Sequence, residues 1–189
     1  AVMGMEWKKY ELRLTAERST TAGRLLLTLS QAGRLALDYV SLFPEKTFLG
    51  RKNGLRRDIA QLLCDMKPKF MRFPGGCLVH DGSLNPSDRD SMYRWKNTLG
   101  EPENRPARRS NWGYNQTLGL GYYEYFQFCE DIGAKPLPVL PGGYDPHHQR
   151  MVPLDEMGPW FQEALDLMEF ANGGKDTDWG VLRAALAPA

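Results

Sequence analysis

No apolar run in the chain approaches the roughly 20 residues that a membrane-spanning helix needs. Net charge is nearly absent: 24 basic against 23 acidic side chains leave +1. No broad field therefore favours nucleic acid or an anionic membrane surface. Cysteine is scarce and odd in number, at three. That argues against a disulfide framework, and no Cys/His spacing suggests zinc. Cys64 and Cys129 fall on apolar helix faces, where buried thiols are the default. Residues Ala1 to Tyr10 are not a basic stretch followed by an apolar one, so no signal peptide is visible. Gly119-Leu120-Gly121 is half of a dinucleotide fingerprint. It lacks the third glycine and an immediately preceding strand, which argues against nucleotide binding.

What is present fits a single domain with a real core: 189 residues, 42% of them hydrophobic. The organising stretch is Lys67-Pro68-Lys69-Phe70-Met71-Arg72-Phe73-Pro74-Gly75-Gly76-Cys77. Phe70 to Phe73 reads as a short buried strand stopped by Pro74, with two glycines where the backbone turns tightly. A buried arginine is rare unless paired, so Arg72 calls for either a carboxylate from the fold or a polar ligand. The pattern returns as Lys135-Pro136-Leu137-Pro138-Val139-Leu140-Pro141-Gly142-Gly143. Each copy reads helix, Lys-Pro, apolar run, Pro-Gly-Gly. That alternation predicts an α/β fold with a parallel sheet or barrel, whose sites lie on the loops after the strands.

Taken in order, Trp7 to Tyr39 predicts three strands, around Tyr10–Leu14, Leu25–Leu29 and Leu35–Leu37. Asn53 is expected to cap a helix over Gly54–Met66 whose stripe is Leu55, Ile59, Leu62, Leu63 and Met66. A long aromatic loop follows, from Cys77 to Leu118. Within it Arg105-Pro106-Ala107-Arg108-Arg109 reads as a solvated basic patch with one buried partner. A helix over Gly121–Ile132 ends on Gly133, and Leu137–Leu140 forms the second strand. The loop from Tyr144 to Pro153 carries His147-His148, read as solvated. Asp155 is expected to cap a third helix reaching Ala171, with Met157, Trp160, Phe161, Ala164, Leu165, Met168 and Ala171 inward. Asp178 to Ala185 reads as a short helical turn.

Several linked motifs carry a resemblance. Arg72-Phe73-Pro74-Gly75-Gly76, then Arg94-Trp95-Lys96-Asn97-Thr98-Leu99-Gly100, Arg105-Pro106, Trp112 and Glu169-Phe170-Ala171-Asn172-Gly173 occur in this order. With Ser41-Leu42-Phe43-Pro44 and Asn53-Gly54-Leu55-Arg56, they resemble the α-L-arabinofuranosidases of glycoside hydrolase family 51. The resemblance runs from about Trp7 to about Ala185. It implies part of a (β/α)8 TIM barrel over residues 43–189. Ahead of it, residues 1–42 would be the terminal β-sandwich strands of an inserted carbohydrate-binding-type module. It also implies retaining removal of α-L-arabinofuranosyl groups from arabinan, arabinoxylan or their oligosaccharides, with no cofactor or metal. The parent would be periplasmic or extracellular.

Residue by residue, the resemblance places Arg72 near the active-site floor and Trp112 in the arabinose subsite. Cys77 takes a position that is Asn in many members, where it bonds a sugar hydroxyl, and a thiol is a weaker partner. Trp95 matches a second tryptophan that either touches sugar or supports the loop. Retaining hydrolysis needs two carboxyl groups about 5–5.5 Å apart. The two predicted strands carry none, and Asp81, in the loop after the first strand, is the best remaining carboxylate. By the resemblance, the acid/base and nucleophile glutamates belong after Ala185, and a substrate-binding glutamate before Ala1. The chain is therefore expected to be an internal piece, inactive alone, with no catalytic residue of its own. Its open strand edges would favour homo-oligomers. The alternative is a non-catalytic carbohydrate-binding or assembly protein that uses Trp95 and Trp112 as a sugar platform.

Overall fold

The computed structural model describes residues 5–79, 83–85, 93–110 and 112–187. The chain divides into two compact units, Ala1–Ala36 and Leu37–Ala189. The described part of the first unit contains no paired strand, and the leucines of its expected strands are exposed. A strand is stable only when a neighbour takes its N–H and C=O groups. Among the described residues no such neighbour pairs with these runs.

The second unit is built from helices around one parallel strand pair. In order it contains α1 (Arg57–Asp65), β1 (Phe70–Phe73), α2 (Gly76–Val79), β2 (Arg108–Arg109) and β3 (Asn115–Gln116). Then come α3 (Tyr122–Ile132), β4 (Lys135–Pro138), β5 (Tyr144–Asp145), β6 (Arg150–Met151), α4 (Gly158–Asn172) and α5 (Asp178–Leu186). None of the helices among the described residues is long and apolar enough to cross a membrane.

β1 and β4 pair in parallel, Phe70 opposite Lys135 and Phe73 opposite Pro138. The sequence places β4 at Leu137–Leu140, two residues later than it lies. The ladder explains the shift. Lys135 N donates to Lys69 O at 3.0 Å and Val139 N to Phe73 O at 2.8 Å. Odd-numbered residues of β4 therefore serve the ladder. Pro136 and Pro138 fall between them, where the missing N–H would face the opposite edge.

Strand alternation sends Met71 and Phe73 toward α3. Phe73 is the aromatic hub. Its ring stacks on Tyr125 at 4.8 Å and meets Tyr122 and Phe126 edge-on at 5.6 and 5.5 Å. α3 begins where Gly121 N donates to Glu124 Oε2 and Tyr122 N donates to Thr98 Oγ1. A Cβ on Gly121 would stand 2.4 Å from Thr98 O, so only glycine fits. The helix ends as expected on Gly133, in the left-handed region at φ 69°.

α1 differs from its expected form. Asn53 sits at φ 51° in a turn and caps nothing, and the helix starts after Arg56. Ala60 is buried, with Leu55 and Cys64 against Phe48 and Phe128. Ile59, Leu62, Leu63 and Met66 are exposed. α1 therefore packs inward a different face from the one its apolar stripe predicts, and among the described residues nothing covers the stripe.

α4 turns a different face inward from the one its apolar stripe predicts. Glu163, Asp166, Leu167 and Phe170 are buried, whereas Phe161, Leu165 and Met168 are exposed. Asp155 belongs to a separate turn, Leu154–Glu156, rather than to a cap. Buried acids are tolerable only with partners, and the 3-10 turn Trp95–Thr98 (with Arg94 just before it) brings them. Arg94 Nη2 lies 2.5 Å from Glu163 Oε1, and Lys96 Nζ lies 3.0 Å from the same oxygen. Lys96 also pairs with Asp166, which accepts from Gln162 Nε2 at 2.7 Å. Trp95 Nε1 donates to Glu163 O at 3.1 Å. The Lys96 ammonium stands 4.8 Å from the Trp179 ring on α5. α5 is a full helix capped by Thr177, and its Arg183 donates to the last carbonyls of α4 at Phe170 and Gly173.

Two outcomes follow from this packing. Phe73→Ala opens a cavity among three rings and should cost about 3–5 kcal/mol, read as a lowered urea midpoint. Burial alone would raise the Asp166 carboxyl, but hydrogen bonds from Lys96 and Gln162 hold it below the ordinary range. A depressed folded pKa stabilises fully above the unfolded value near ~3.9 and is lost as pH falls through the folded value. In Lys96→Met burial is unopposed by the ammonium, so acid unfolding followed by circular dichroism should begin at a higher pH than in the wild type.

Candidate active site

The carboxyl end of β1 is Phe73, followed by the Pro74-Gly75-Gly76 turn. Gly75 adopts φ 140°, open to glycine alone. A Cβ on Gly76 would lie 3.3 Å from Arg72 Nη2, so its absence lets the guanidinium fold back over the turn. Arg72 itself is exposed, which corrects the expectation of a buried arginine. It makes no ion pair among the described residues. The cause is strand alternation. Arg72 shares with Phe70 the face opposite α3, and both Phe70 and the facing Leu137 are exposed there too.

Cys77 lies half-buried in the first turn of α2, outside any disulfide. The next carbonyl, that of Leu78, accepts from Tyr93 N and from Arg108 Nη1, each at 3.0 Å. Arg108 belongs to β2, so this buried side chain ties the turn bearing Cys77 to the β2–β3 hairpin. In the hairpin Arg108 faces Gln116 and Arg109 faces Asn115. Ser110 N donates to Tyr114 O at 2.8 Å, and Gly113 N donates to Ser110 O at 3.0 Å. Trp112 projects from this tip, 58% exposed. Its ring runs within 12° of parallel to that of Tyr114, with centroids 6.3 Å apart.

Trp95 lies elsewhere. It is 1% exposed, packed at 5.3 Å against Phe170 and at 4.8 Å against Trp179. A ring enclosed this way offers no face to a ligand, so the expected platform of Trp95 and Trp112 does not exist here. The basic stretch is also not a solvated patch. Arg105 is buried and donates to Gly100 O, Leu118 O and the Glu124 carboxylate, at 2.7, 2.7 and 2.6 Å at closest. Only Arg109 of its three arginines is exposed.

Beyond β4, the antiparallel β5–β6 hairpin holds a buried Asp145. Its Oδ1 accepts from the backbone N–H groups of His147 and His148, and its Oδ2 lies 2.7 Å from His148 Nδ1 and 3.0 Å from Arg150 Nη2. The histidine loop is thus anchored, although the His148 ring stays mostly in water. Asp81 lies outside the described residues. Among the described residues no three His, Cys, Asp or Glu side chains group as metal ligands. Guanidinium, thiol and aromatic groups at a strand's carboxyl end can bind a hydroxylated ligand. β1 and β4 contribute no carboxylate that could take or give a proton.

Sequence reasoning missed Tyr114 and Arg108. Tyr114 had no strand-type signal, because the turn at Gly113, φ 81°, and not an extended chain brings its ring beside Trp112. Arg108 had no such signal, because its partner is a backbone carbonyl 30 residues away.

Comparison with known proteins agrees with this geometry. The family model described as "Alpha-L-arabinofuranosidase 1 domain" matches residues 62–189. An extracellular exo-α-L-arabinofuranosidase of Streptomyces chartreusis is 45% identical over 188 residues, covering 95% of this chain and 22% of that protein. α-L-Arabinofuranosidase 1 of Arabidopsis thaliana is 40% identical over 96% of this chain and 26% of its own length. The chain thus spans about a quarter of these relatives. Among solved structures, an arabinose-bound MgGH51 α-L-arabinofuranosidase superposes with a TM-score of 0.66 at 37% identity, over 74% of this chain and 22% of that one. The arabinose complex of the Thermotoga maritima enzyme gives 0.53 at 25% identity, over 71% and 23%. With the family model matching well over half of its residues, this chain belongs to the family 51 α-L-arabinofuranosidases.

Proposed function

We propose that this chain supplies two strand–helix units of the catalytic (β/α)8 barrel of a retaining α-L-arabinofuranosidase. The observation that carries the reading is the parallel β1–β4 pair, with Arg72 and the Gly75-Gly76-Cys77 turn at the carboxyl end of β1. That is the end where such folds hold their ligands. Arg72, Cys77 and Trp112 form part of the wall around an arabinofuranosyl group carried by arabinan, arabinoxylan or their oligosaccharides. Trp95 acts one step back, anchoring the loop. Residues 43–189 are assigned to the barrel and residues 1–42 to the carbohydrate-binding-type module, by the family resemblance. Retaining hydrolysis uses an acid/base and a nucleophile about 5–5.5 Å apart. Because β1 and β4 bear neither, the isolated chain binds without turnover.

A segment exchange tests the assignment. This chain replaces the matching quarter of the Streptomyces chartreusis relative, and hydrolysis of an aryl α-L-arabinofuranoside is followed. The folded chimera should hydrolyse it, and Arg72→Ala within it should lower kcat/KM by about 100-fold, the cost of a misplaced substrate. A folded chimera without activity would refute the reading. The 189-residue chain alone should release no aryl alcohol.

A further inference from the structure

We propose that Trp112 and Tyr114 together form a two-ring ledge that binds the pyranose backbone of an arabinose-bearing glycan, with Tyr114 as its outer contact. The inference rests on the arabinofuranosidase reading and adds to it a residue and a substrate class.

Both rings stand in water, Trp112 at 58% and Tyr114 at 54% exposure, while Tyr93, Trp95 and Tyr122 of the same unit are buried. Single exposed aromatics are ordinary; two adjacent parallel rings make a contiguous apolar surface. Their positions are fixed before any ligand arrives. The Ser110–Tyr114 and Gly113–Ser110 backbone bonds close the tip, and Gly113 at φ 81° makes the turn. The root is held by buried Arg108 through Leu78 O. A preorganised surface loses little side-chain entropy on binding.

The chemistry selects the ligand. An aromatic face is electron-rich and attracts the slightly positive C–H groups of a sugar. A pyranose chair presents several axial C–H groups on one flat side, whereas a furanose is puckered and offers fewer. Two neighbouring, nearly parallel rings offer more of this contact than one. Arg109 adds polar donors beside them, since a Cβ on Gly113 would lie 4.0 Å from Arg109 Nη2. Stacked bases of single-stranded RNA use aromatic ledges as well, but they also need a cationic groove. A net charge of +1 supplies no such field.

The test is affinity electrophoresis of the full 189-residue chain in native gels containing soluble arabinoxylan. The wild type should be retarded. Tyr114→Ala should weaken that retardation about fivefold to tenfold. Tyr114→Leu, which keeps bulk without a ring, should do the same, and Tyr114→Phe should retain it. Tyr144→Ala, at an exposed tyrosine of the β5–β6 hairpin, should change nothing. Mobility without polymer and the circular dichroism spectrum report whether each variant folds. Wild-type mobility for folded Tyr114→Ala or Tyr114→Leu in arabinoxylan overturns the proposal. So does equal, Tyr114-dependent retardation by linear arabinan, or Tyr114-dependent retardation by poly(U) without any by arabinoxylan. The aryl arabinofuranoside of the segment exchange has no backbone. An inactive chimera therefore counts against the enzyme reading alone, and an indifferent Tyr114 counts against the ledge alone.

Discussion

A parallel strand pair cannot be joined by a tight turn, and the chain between β1 and β4 must travel the length of the sheet and back. Here α3 makes the return, but it begins only at Tyr122. Everything from Pro74 to Gly121 is an excursion that needs its own anchors, and it carries Cys77 and Trp112. Three buried arrangements hold it. Trp95 sits in the core with its indole N–H on the Glu163 carbonyl. Arg105 closes the loop onto Gly100, Leu118 and the first turn of α3. Arg108 joins α2 to the hairpin. Remove these and the strand pair could persist, while the residues beside its carboxyl end would lose their arrangement.

The anchors are charged, and charge in a core destabilises unless every partner is met. The Arg94–Glu163–Lys96–Asp166 cluster offsets most of that cost with two bases, two acids and two tryptophan faces, although the buried Arg94 Nε has no hydrogen-bond partner among the described residues. It also specifies direction. An apolar contact between the loop and α4 could slide by a turn, but a lysine shared by Glu163 and Asp166, three residues apart on one helix face, fixes the register. This is why α4 turns its acids inward and leaves Phe161 and Leu165 outside, against the reading of its apolar stripe.

That reversal marks the limit of what was legible. β1 was readable at its observed bounds, because Pro68 and Pro74 delimit an apolar run and Gly75-Gly76 punctuate its end. The end of α3 at Gly133 was readable for the same kind of reason: one residue type satisfies one backbone requirement. Features set by distant partners were not. The burial of Trp95, Arg105 and Arg108 depends on carbonyls and carboxylates far along the chain. Periodicity misjudged the face of α1 as well: Ala60 and Cys64 pack inward, and Ile59, Leu62, Leu63 and Met66 do not. The position of β4 was misread because the apolar run was taken for the strand, whereas its pairing with β1 and the edge that Pro136 and Pro138 face set the bounds.

Those prolines alter the expectation about association. An open parallel edge is a template for another chain because it offers alternating donors and acceptors. On the free edge of β4, Pro136 and Pro138 leave acceptors without donors, which blunts that edge against pairing. The free edge of β1 keeps the N–H groups of Phe70 and Arg72. Any self-association through the sheet is thereby directed to β1, the strand whose uncovered face also bears Arg72. Under the proposed barrel this face turns inward, toward the ligand. There an exposed guanidinium between Phe70 and the Gly75-Gly76 turn has room to meet a sugar hydroxyl. Of the two partners the sequence left open for Arg72, a carboxylate from the fold or a polar ligand, an exposed guanidinium with no ion pair among the described residues keeps its donors for the second.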